Sequence, residues 1–149
     1  MITFQREPLR AVIDDVQPLL QLHYEEVALH RDVIKLNPRW DQYFLLEQIE
    51  SFAVYTARDD GALVGYNAFF VNHHMHYEDL VVAHNDVLFL HPASRRGTTA
   101  LCFIDYTEQA LQALGARKVG YHIKLAHDWR PILHRRGYQD EEVMCAKLL

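Results

Sequence analysis

Strand-like runs fill the middle of the sequence. Phe52–Ala57 and Ala62–Val71 are rich in β-branched and aromatic residues, which favour an extended chain. Between them lies Asp59-Asp60-Gly61, which is typical of a tight hairpin turn, and a third run follows at Asp86–Leu90. These patterns predict a sheet that contains antiparallel hairpins.

Helical periodicity flanks these runs on both sides. The other predicted elements are, in chain order, a strand at Ile2–Gln5, a helix at Val16–Ala28 with Pro18 in its first turn, a helix after Asn37-Pro38 that runs through Ile49, a helix at Thr98–Leu114, a strand at Lys118–Ile123, a short helix at Asp128–Arg135 and a strand at Glu142–Leu148. Hairpins followed by a strand–helix–strand unit predict an α/β (α+β) fold, a mixed sheet with helices on both faces. Because the chain has no internal repeat, low-complexity tract or linker, we expect one domain, residues 1–149.

The composition is typical of a globular protein with a sizeable core. Half of the 149 residues are hydrophobic and 23% are charged, and no apolar run approaches the roughly 18 to 20 residues that span a bilayer. The first ten residues lack the pattern of a signal peptide, so we expect a soluble, cytoplasmic protein. Cys102 and Cys145 fit no CxxC pair and lie in apolar stretches, which predicts two buried, reduced thiols.

The net charge of −5 is unevenly distributed along the chain. Residues 1–94 carry 6 Lys and Arg against 14 Asp and Glu, a net charge of −8, whereas residues 95–136 carry 8 against 3, a net charge of +5. An acidic half and a pI near 6.0 argue against a general nucleic-acid binder, which spreads basic residues along a groove. The basic segment instead suggests a local site for a small anion, with a chance clustering of surface charge as the alternative.

That basic segment begins at a turn between a strand and a helix. Arg95-Arg96-Gly97-Thr98-Thr99-Ala100 follows the strand-like run and opens the third helix. Small residues let the backbone approach a phosphate, and the free N–H groups at a helix N-terminus stabilise negative charge. The turn matches neither a Walker motif nor the dinucleotide fingerprint, and a solvated loop before a capped helix is the alternative.

Taken together, these segments resemble the GNAT superfamily of N-acetyltransferases over nearly the whole chain, most closely its small bacterial and phage members. The family's pyrophosphate loop reads Arg/Gln-x-x-Gly-x-Gly/Ala, which is matched here at Arg95 and Ala100, while Thr98 replaces the central glycine. The segment from Asp60 to Tyr66 is similar to a family hairpin, and the segment from Arg130 to Tyr138 to its last helix and Gly-aromatic ending.

The resemblance implies a mostly antiparallel sheet with a V-shaped split between Val87–Leu90 and Val119–Ile123, and frequent homodimers. Acetyl-CoA would bind in this split as a cosubstrate. Its contacts would be backbone groups of Phe89 and Leu90 for the pantetheine arm, and the loop residues Arg95, Arg96, Gly97, Thr98, Thr99 and Ala100 for the pyrophosphate.

Acid–base residues are expected near the same strand. The resemblance implies a carboxylate base there, and Asp86 and His84 are the candidates because they lie two residues apart on one strand face. His122 and His127 are further candidates, since imidazole titrates near neutral pH. The family's usual tyrosine acid is replaced by Leu133, so Tyr121 and Tyr138 are considered instead.

The acceptor is expected to meet the acidic half of the chain. Four carboxylates there could attract a cationic amine: Glu25, Glu26, Glu78 and Asp79. The function indicated is acetyl-CoA-dependent transfer of an acetyl group to a primary amine of a small molecule or protein, by direct attack in a ternary complex.

Three alternatives stay open. The protein could bind acyl-CoA as a non-catalytic sensor or interaction module, or it could transfer a different acyl chain. The cluster His73-His74-Met75-His76 could also indicate a metal-binding protein, but adjacent strand residues face opposite ways, so at most His74 and His76 share a face. We therefore expect no metal site, and we expect ordinary structural roles for His23, His30, His91 and His134.

Overall fold

The computed structural model describes all 149 residues as a five-stranded sheet with four α-helices. The strands are β1 (Ile2–Arg6), β2 (Phe52–Asp59), β3 (Ala62–His74), β4 (Tyr77–Leu90) and β5 (Lys118–Gly120), and the helices are α1 (Leu9–Val27), α2 (Trp40–Gln48), α3 (Thr99–Ala113) and α4 (Arg130–His134). The strands follow one another in sequence order across the sheet. All pairs are antiparallel except β4 and β5, which are parallel. The predicted mixed, mostly antiparallel α/β fold is confirmed.

The hairpin between β2 and β3 has the predicted turn. Asp59 pairs with Ala62, so the loop consists of Asp60 and Gly61, with φ angles of 47° and 88°. Positive φ at both loop residues is the type I′ geometry, whose twist matches that of the flanking strands.

Strand β5 pairs with only a short part of β4. The pairing runs from Val82 with Lys118 to His84 with Gly120, although β4 continues to Leu90. From Asn85 onward β4 therefore has a strand neighbour on its β3 edge alone, which is the expected split in the sheet.

Alternating strand residues build a core on each face of the sheet. On one face, Tyr55 and Phe69 pack with Phe103 and Leu111 of α3. On the other face, α1 and α2 cover the sheet, and Tyr66 and Phe89 pack against α1. Helices thus lie on both faces, as predicted. No helix combines the length and the apolar character needed to cross a membrane.

The predicted start of α1 at Val16 is wrong, because the helix begins seven residues earlier, at Leu9. Its buried residues are Leu9, Val12, Val16 and Leu19, a continuous stripe at helical spacing that packs on the sheet. Pro18 consequently lies inside the helix and not in its first turn. Its ring is exposed, so the proline does not interrupt the buried stripe.

Several element boundaries in the second half of the chain also differ from the predictions. Strand β4 begins at Tyr77, far before Asp86, because its hairpin partner β3 extends to His74. Strand β5 ends at Gly120 and not at Ile123. The strand predicted at Glu142–Leu148 is absent, and this segment is exposed and without regular structure.

The prediction of two buried thiols is wrong as well. Cys102 and Cys145 are both free and exposed. Cys102 lies on the solvent side of α3, next to the buried Phe103 and Ile104, and Cys145 lies in the segment that forms no strand. Apolar neighbours in sequence did not imply burial, because successive helix residues point in different directions.

Candidate active site

A cavity of about 340 Å³ lies between the sheet and the helices α1 and α2. Thirteen of its 17 lining residues are hydrophobic. Its walls come from both helices, from the segment between them and from strands β2, β3 and β4. Two charged side chains contribute to the lining, Asp86 and Lys35.

Two polar contacts hold the helical wall of this cavity in place. The N-terminal amide of α1, at Leu9, donates hydrogen bonds to both carboxylate oxygens of Glu47 in α2, at 2.8 and 3.1 Å. The Tyr24 hydroxyl donates to the carbonyl oxygen of Ile34, at 2.6 Å, and so attaches the connecting segment to α1. These contacts fix α2 and the connecting segment over the sheet.

Asp86 reaches the cavity from an irregularity in β4. Val87 pairs with Ala68 and Asn85 with Phe69, so Asp86 is an extra residue with no partner on β3. Such a β-bulge changes the direction of side chains locally, and here both Asp86 and Val87 line the cavity. The sequence shows no glycine or other signal for this bulge.

The Asp86 carboxylate is partly buried and has one protein donor. The Tyr43 hydroxyl of α2 donates a hydrogen bond to Oδ2 at 2.8 Å. Burial raises the pKa of Asp86 above its ordinary value, while the hydrogen bond from Tyr43 acts in the opposite direction. Burial and the neighbouring Asp86 raise the pKa of Tyr43, so the phenol keeps its proton. Asp86 is therefore a carboxylate suited to accept a proton inside an apolar cavity.

The loop at the end of β4 presents free backbone donors. The amides of five residues donate no hydrogen bond to any protein acceptor: Arg96, Gly97, Thr98, Ala100 and Leu101. Gly97 has a φ of 53°, a conformation that glycine adopts without strain, and α3 starts two residues later. Free amides at a helix N-terminus, together with its dipole, favour a bound anion.

Comparisons with known proteins address the fold. No model of a known family matches the sequence, and neither does any curated protein. An aminoglycoside acetyltransferase from an uncultured soil metagenomic sample matches with a TM-score of 0.76 and 16% identity, over 99% of this chain and 96% of that chain. A ribosomal-protein-alanine N-acetyltransferase from Brucella melitensis biovar Abortus 2308 matches with a TM-score of 0.72 and 17% identity, over 99% of this chain and 98% of that chain. A predicted acetyltransferase from Clostridium acetobutylicum, solved with acetyl-CoA, matches with a TM-score of 0.71 and 12% identity, over 99% of this chain and 96% of that chain. This chain has the GNAT fold.

The two arginines of the loop in this GNAT fold differ in their surroundings. Arg95 donates to the carbonyl oxygen of Leu90 at 2.7 Å and to Glu26 at 2.7 Å. It thereby attaches the loop to β4 and to α1, and Glu26 serves as its partner. The guanidinium of Arg96 makes no ion pair and is exposed, so it is free to meet an anion.

The four acidic residues expected to attract the acceptor do not line the cavity. The Glu25 carboxylate accepts a hydrogen bond from Gln21 at the surface, and Glu26 is paired with Arg95. Glu78 and Asp79 are exposed near the start of β4, about seven residues before Asp86. The acidic excess of the first 94 residues thus contributes a single carboxylate to the cavity.

The histidines considered for proton transfer lie outside the cavity. His84 and His122 are exposed neighbours whose ring centroids are 6.1 Å apart. Burial lowers the pKa of His84, and His122 lowers it further. His127 is exposed in a single turn of 3₁₀-helix.

The two tyrosines considered as acids make separate polar contacts on the α3 side of the sheet, and their ring centroids are 5.7 Å apart. The Tyr138 hydroxyl donates to Glu108 at 2.8 Å, and burial raises the pKa of Tyr138. The Tyr121 hydroxyl accepts from Asn67 at 3.1 Å. Leu133, at the position where the resemblance places a tyrosine, is buried.

Sequence reasoning overlooked one pair next to the cavity. His23 of α1 stacks on Phe89, with ring centroids 5.0 Å apart, and its Nδ1 lies 2.9 Å from the hydroxyl of Tyr66, which lines the cavity. Burial lowers the pKa of His23 to about 4, so its ring is neutral, and its Nδ1 forms a hydrogen bond with the Tyr66 hydroxyl. The signal available in the sequence was the position of His23 at helical spacing from Val16 and Leu19.

The cluster of histidines at the β3–β4 turn makes local contacts. His73 Nδ1 lies 2.9 Å from the carbonyl oxygen of Glu78, and His74 Nδ1 accepts from the amide of His76. Nowhere in the chain do three His, Cys, Asp or Glu side chains come close enough to hold a metal ion.

Proposed function

We propose that this protein is an acetyl-CoA-dependent N-acetyltransferase that acetylates a primary amine by direct attack in a ternary complex. The observation that carries the proposal is the placement of Asp86. This partly buried carboxylate faces an apolar cavity from β4, and the strand ends at Leu90, six residues before the first of the free amides, at Arg96. The candidate base thus lies on β4, and the candidate anion site lies where the chain passes from β4 into α3.

The residues present fit acetyl-CoA as a cosubstrate. Five free amides and the guanidinium of Arg96 offer donors to a pyrophosphate. The β4 edge at Phe89 and Leu90 faces the split, where no strand pairs with it, so an extended pantetheine arm can lie along it. The cosubstrate supplies an acyl thioester as the electrophile.

Asp86 performs the proton transfer in this proposal. The ammonium group of the acceptor gives a proton to the carboxylate, and the neutral amine attacks the thioester carbonyl carbon. The new C–N bond forms as the C–S bond breaks, and the thiolate leaves with the electron pair. The thiolate takes up the second proton lost by the nitrogen, and Asp86 returns its own proton to solvent, so the net products are an amide, a free thiol and one proton.

Calorimetry with acetyl-CoA tests the anion site, and mass spectrometry of added amines tests transfer. Ala100→Pro removes one free amide in the first turn of α3, where proline is tolerated. Because a hydrogen bond to a charged group contributes roughly 1.5 to 3 kcal/mol, we expect about tenfold weaker binding or more. Ala100→Ser keeps the amide and should bind like the wild type.

Two results would count against the proposal. Equal affinity of the Ala100→Pro and Ala100→Ser variants for acetyl-CoA would show that the amide of residue 100 does not contact the pyrophosphate. Tight binding of acetyl-CoA without transfer to any amine would instead support the sensor alternative.

A further inference from the structure

The cavity beside Asp86 has a chemical character that restricts the acceptor. We propose that the acceptor is a monoamine: a single ammonium group on an apolar body of about the size of an aromatic ring with a short linker. This inference rests on the proposed acetyltransferase function and adds the substrate class.

The walls of the cavity favour an apolar body. Five aromatic residues line it: Tyr24, Trp40, Tyr43, Phe52 and Tyr66. Its volume of about 340 Å³ lies at the lower end of the range for small-molecule sites. Such walls bind flat apolar groups by excluding water, and they offer few partners for the hydroxyl groups of a sugar.

The cavity has one carboxylate, which can pair with one ammonium group of a ligand. Asp86 is the only carboxylate among the lining residues. Its Oδ2 already accepts from Tyr43, and no protein group donates to its Oδ1, which leaves one oxygen for a ligand.

A second positive charge meets no partner in this cavity. Lys35 is the other charged lining residue, and its exposed ammonium group, which donates to the carbonyl oxygen of Arg31 at 2.7 Å, is a cation at the mouth. Glu25, Glu26, Glu78 and Asp79, which could have held further amines, lie elsewhere. Polyamines and aminoglycosides would therefore bury unpaired charges or face repulsion from Lys35.

The test compares three amines at saturating acetyl-CoA: 2-phenylethylamine, putrescine and kanamycin. We expect kcat/KM for 2-phenylethylamine to exceed both others by at least tenfold, and calorimetry to show its binding to the complex with CoA. A preference for putrescine or kanamycin, or absence of 2-phenylethylamine binding, would overturn the inference. Failure of acetyl-CoA itself to bind would instead overturn the proposed function.

The Lys35→Glu variant tests the role of Lys35 directly, since it places a carboxylate at the mouth of the cavity without altering a buried residue. We expect this variant to raise kcat/KM for putrescine relative to 2-phenylethylamine by fivefold or more. Arg39→Glu makes the same change in net charge at an exposed residue outside the cavity lining and should leave the ratio unchanged. Equal ratios in the two variants would show that Lys35 does not control access of a second cation.

Discussion

Asp86 combines burial, a fixed orientation and one free oxygen. The bulge in β4 directs its side chain to the cavity, and Tyr43 holds Oδ2. Burial raises the pKa of this carboxyl, which brings its basicity closer to that of an effective general base at neutral pH. The reactivity of the residue therefore depends on α2 as much as on its own strand.

Replacement of this carboxylate tests its role. Asp86→Asn keeps the shape but cannot accept the proton, so we expect kcat to fall by about 10² to 10⁴ while the Kd for acetyl-CoA stays the same. In the wild type, activity should rise with pH through an apparent pKa above the ordinary aspartate value, because the ionised form is active. Asp14→Asn, at an exposed position of α1, is the control; an Asp86→Asn enzyme with wild-type kcat would contradict this role.

A second residue-scale prediction concerns Tyr55. Its hydroxyl is the one buried side-chain polar atom without a hydrogen-bond partner, and burial raises its pKa to about 12. Because a buried group without a partner costs about 1 to 3 kcal/mol, we expect Tyr55→Phe to increase the free energy of unfolding by about 1 kcal/mol, measured with urea.

The matched control for Tyr55 is Tyr121. Its partly buried hydroxyl accepts from Asn67, so Tyr121→Phe should lower the free energy of unfolding by about 1 kcal/mol. Opposite signs for the two variants are the expected outcome. Destabilisation by both would mean that the Tyr55 hydroxyl has a favourable partner.

At the scale of elements, α1 organises both parts of the site. Its N-terminus is held by Glu47 of α2, and near its C-terminus Glu26 holds Arg95 of the loop between β4 and α3. Between these ends, the buried stripe and His23 pack on β3 and β4. One helix thus connects the wall of the cavity to the loop that follows β4.

His23 makes this packing sensitive to pH. Because burial lowers its pKa from 6.5 to about 4, the unfolded chain binds more protons between these values, and stability falls as pH falls. The expected loss from this residue is roughly 1.4 kcal/mol between pH 7.5 and pH 5.5. Urea unfolding at both pH values should show a smaller loss in His23→Gln, whereas His30→Gln, at an exposed site, should behave like the wild type.

At the scale of the whole molecule, the two predicted charge regions have different uses. The basic segment contains the loop from Arg95 to Ala100, in which Arg96 makes no ion pair and Arg95 is paired with Glu26. The acidic excess lies mostly on the surface, and one of its carboxylates reaches the cavity. Net charge along the chain therefore indicated the loop that carries the free amides and Arg96, but it did not indicate which carboxylate reaches the cavity.

The last residues should contribute little to the stability of the whole chain. Residues 142–149 have no regular structure and are exposed. A chain that ends at Glu141 keeps the ion pair between Glu141 and Lys118, so we expect its Tm to stay within about 2 °C of that of the full chain. A loss of more than about 5 °C in thermal unfolding would show that this segment packs on the fold.

The sequence by itself determined the elements and their order from β1 to α4. The turn at Asp60-Gly61 requires residues that adopt positive φ, and alternating and helical periodicities mark which segments can cover a sheet, so local chemistry was sufficient there. The same holds for the loop from Arg95 to Ala100, whose small and basic residues are contiguous. Local patterns misplaced the start of α1 and predicted a last strand that does not form, because strand formation requires a partner edge.

Only the tertiary structure decided what the cavity is made of. Tyr43, Asp86 and His23 are far apart in sequence, and their contacts depend on how α1 and α2 lie on the sheet. The bulge at Asp86 has no local signal, and the burial that shifts the pKa values of Asp86 and His23 arises from packing. Burial and proximity are properties of the assembled fold. The sequence could therefore name Asp86 as a candidate base, but it could not show the burial and the contacts that surround this carboxylate.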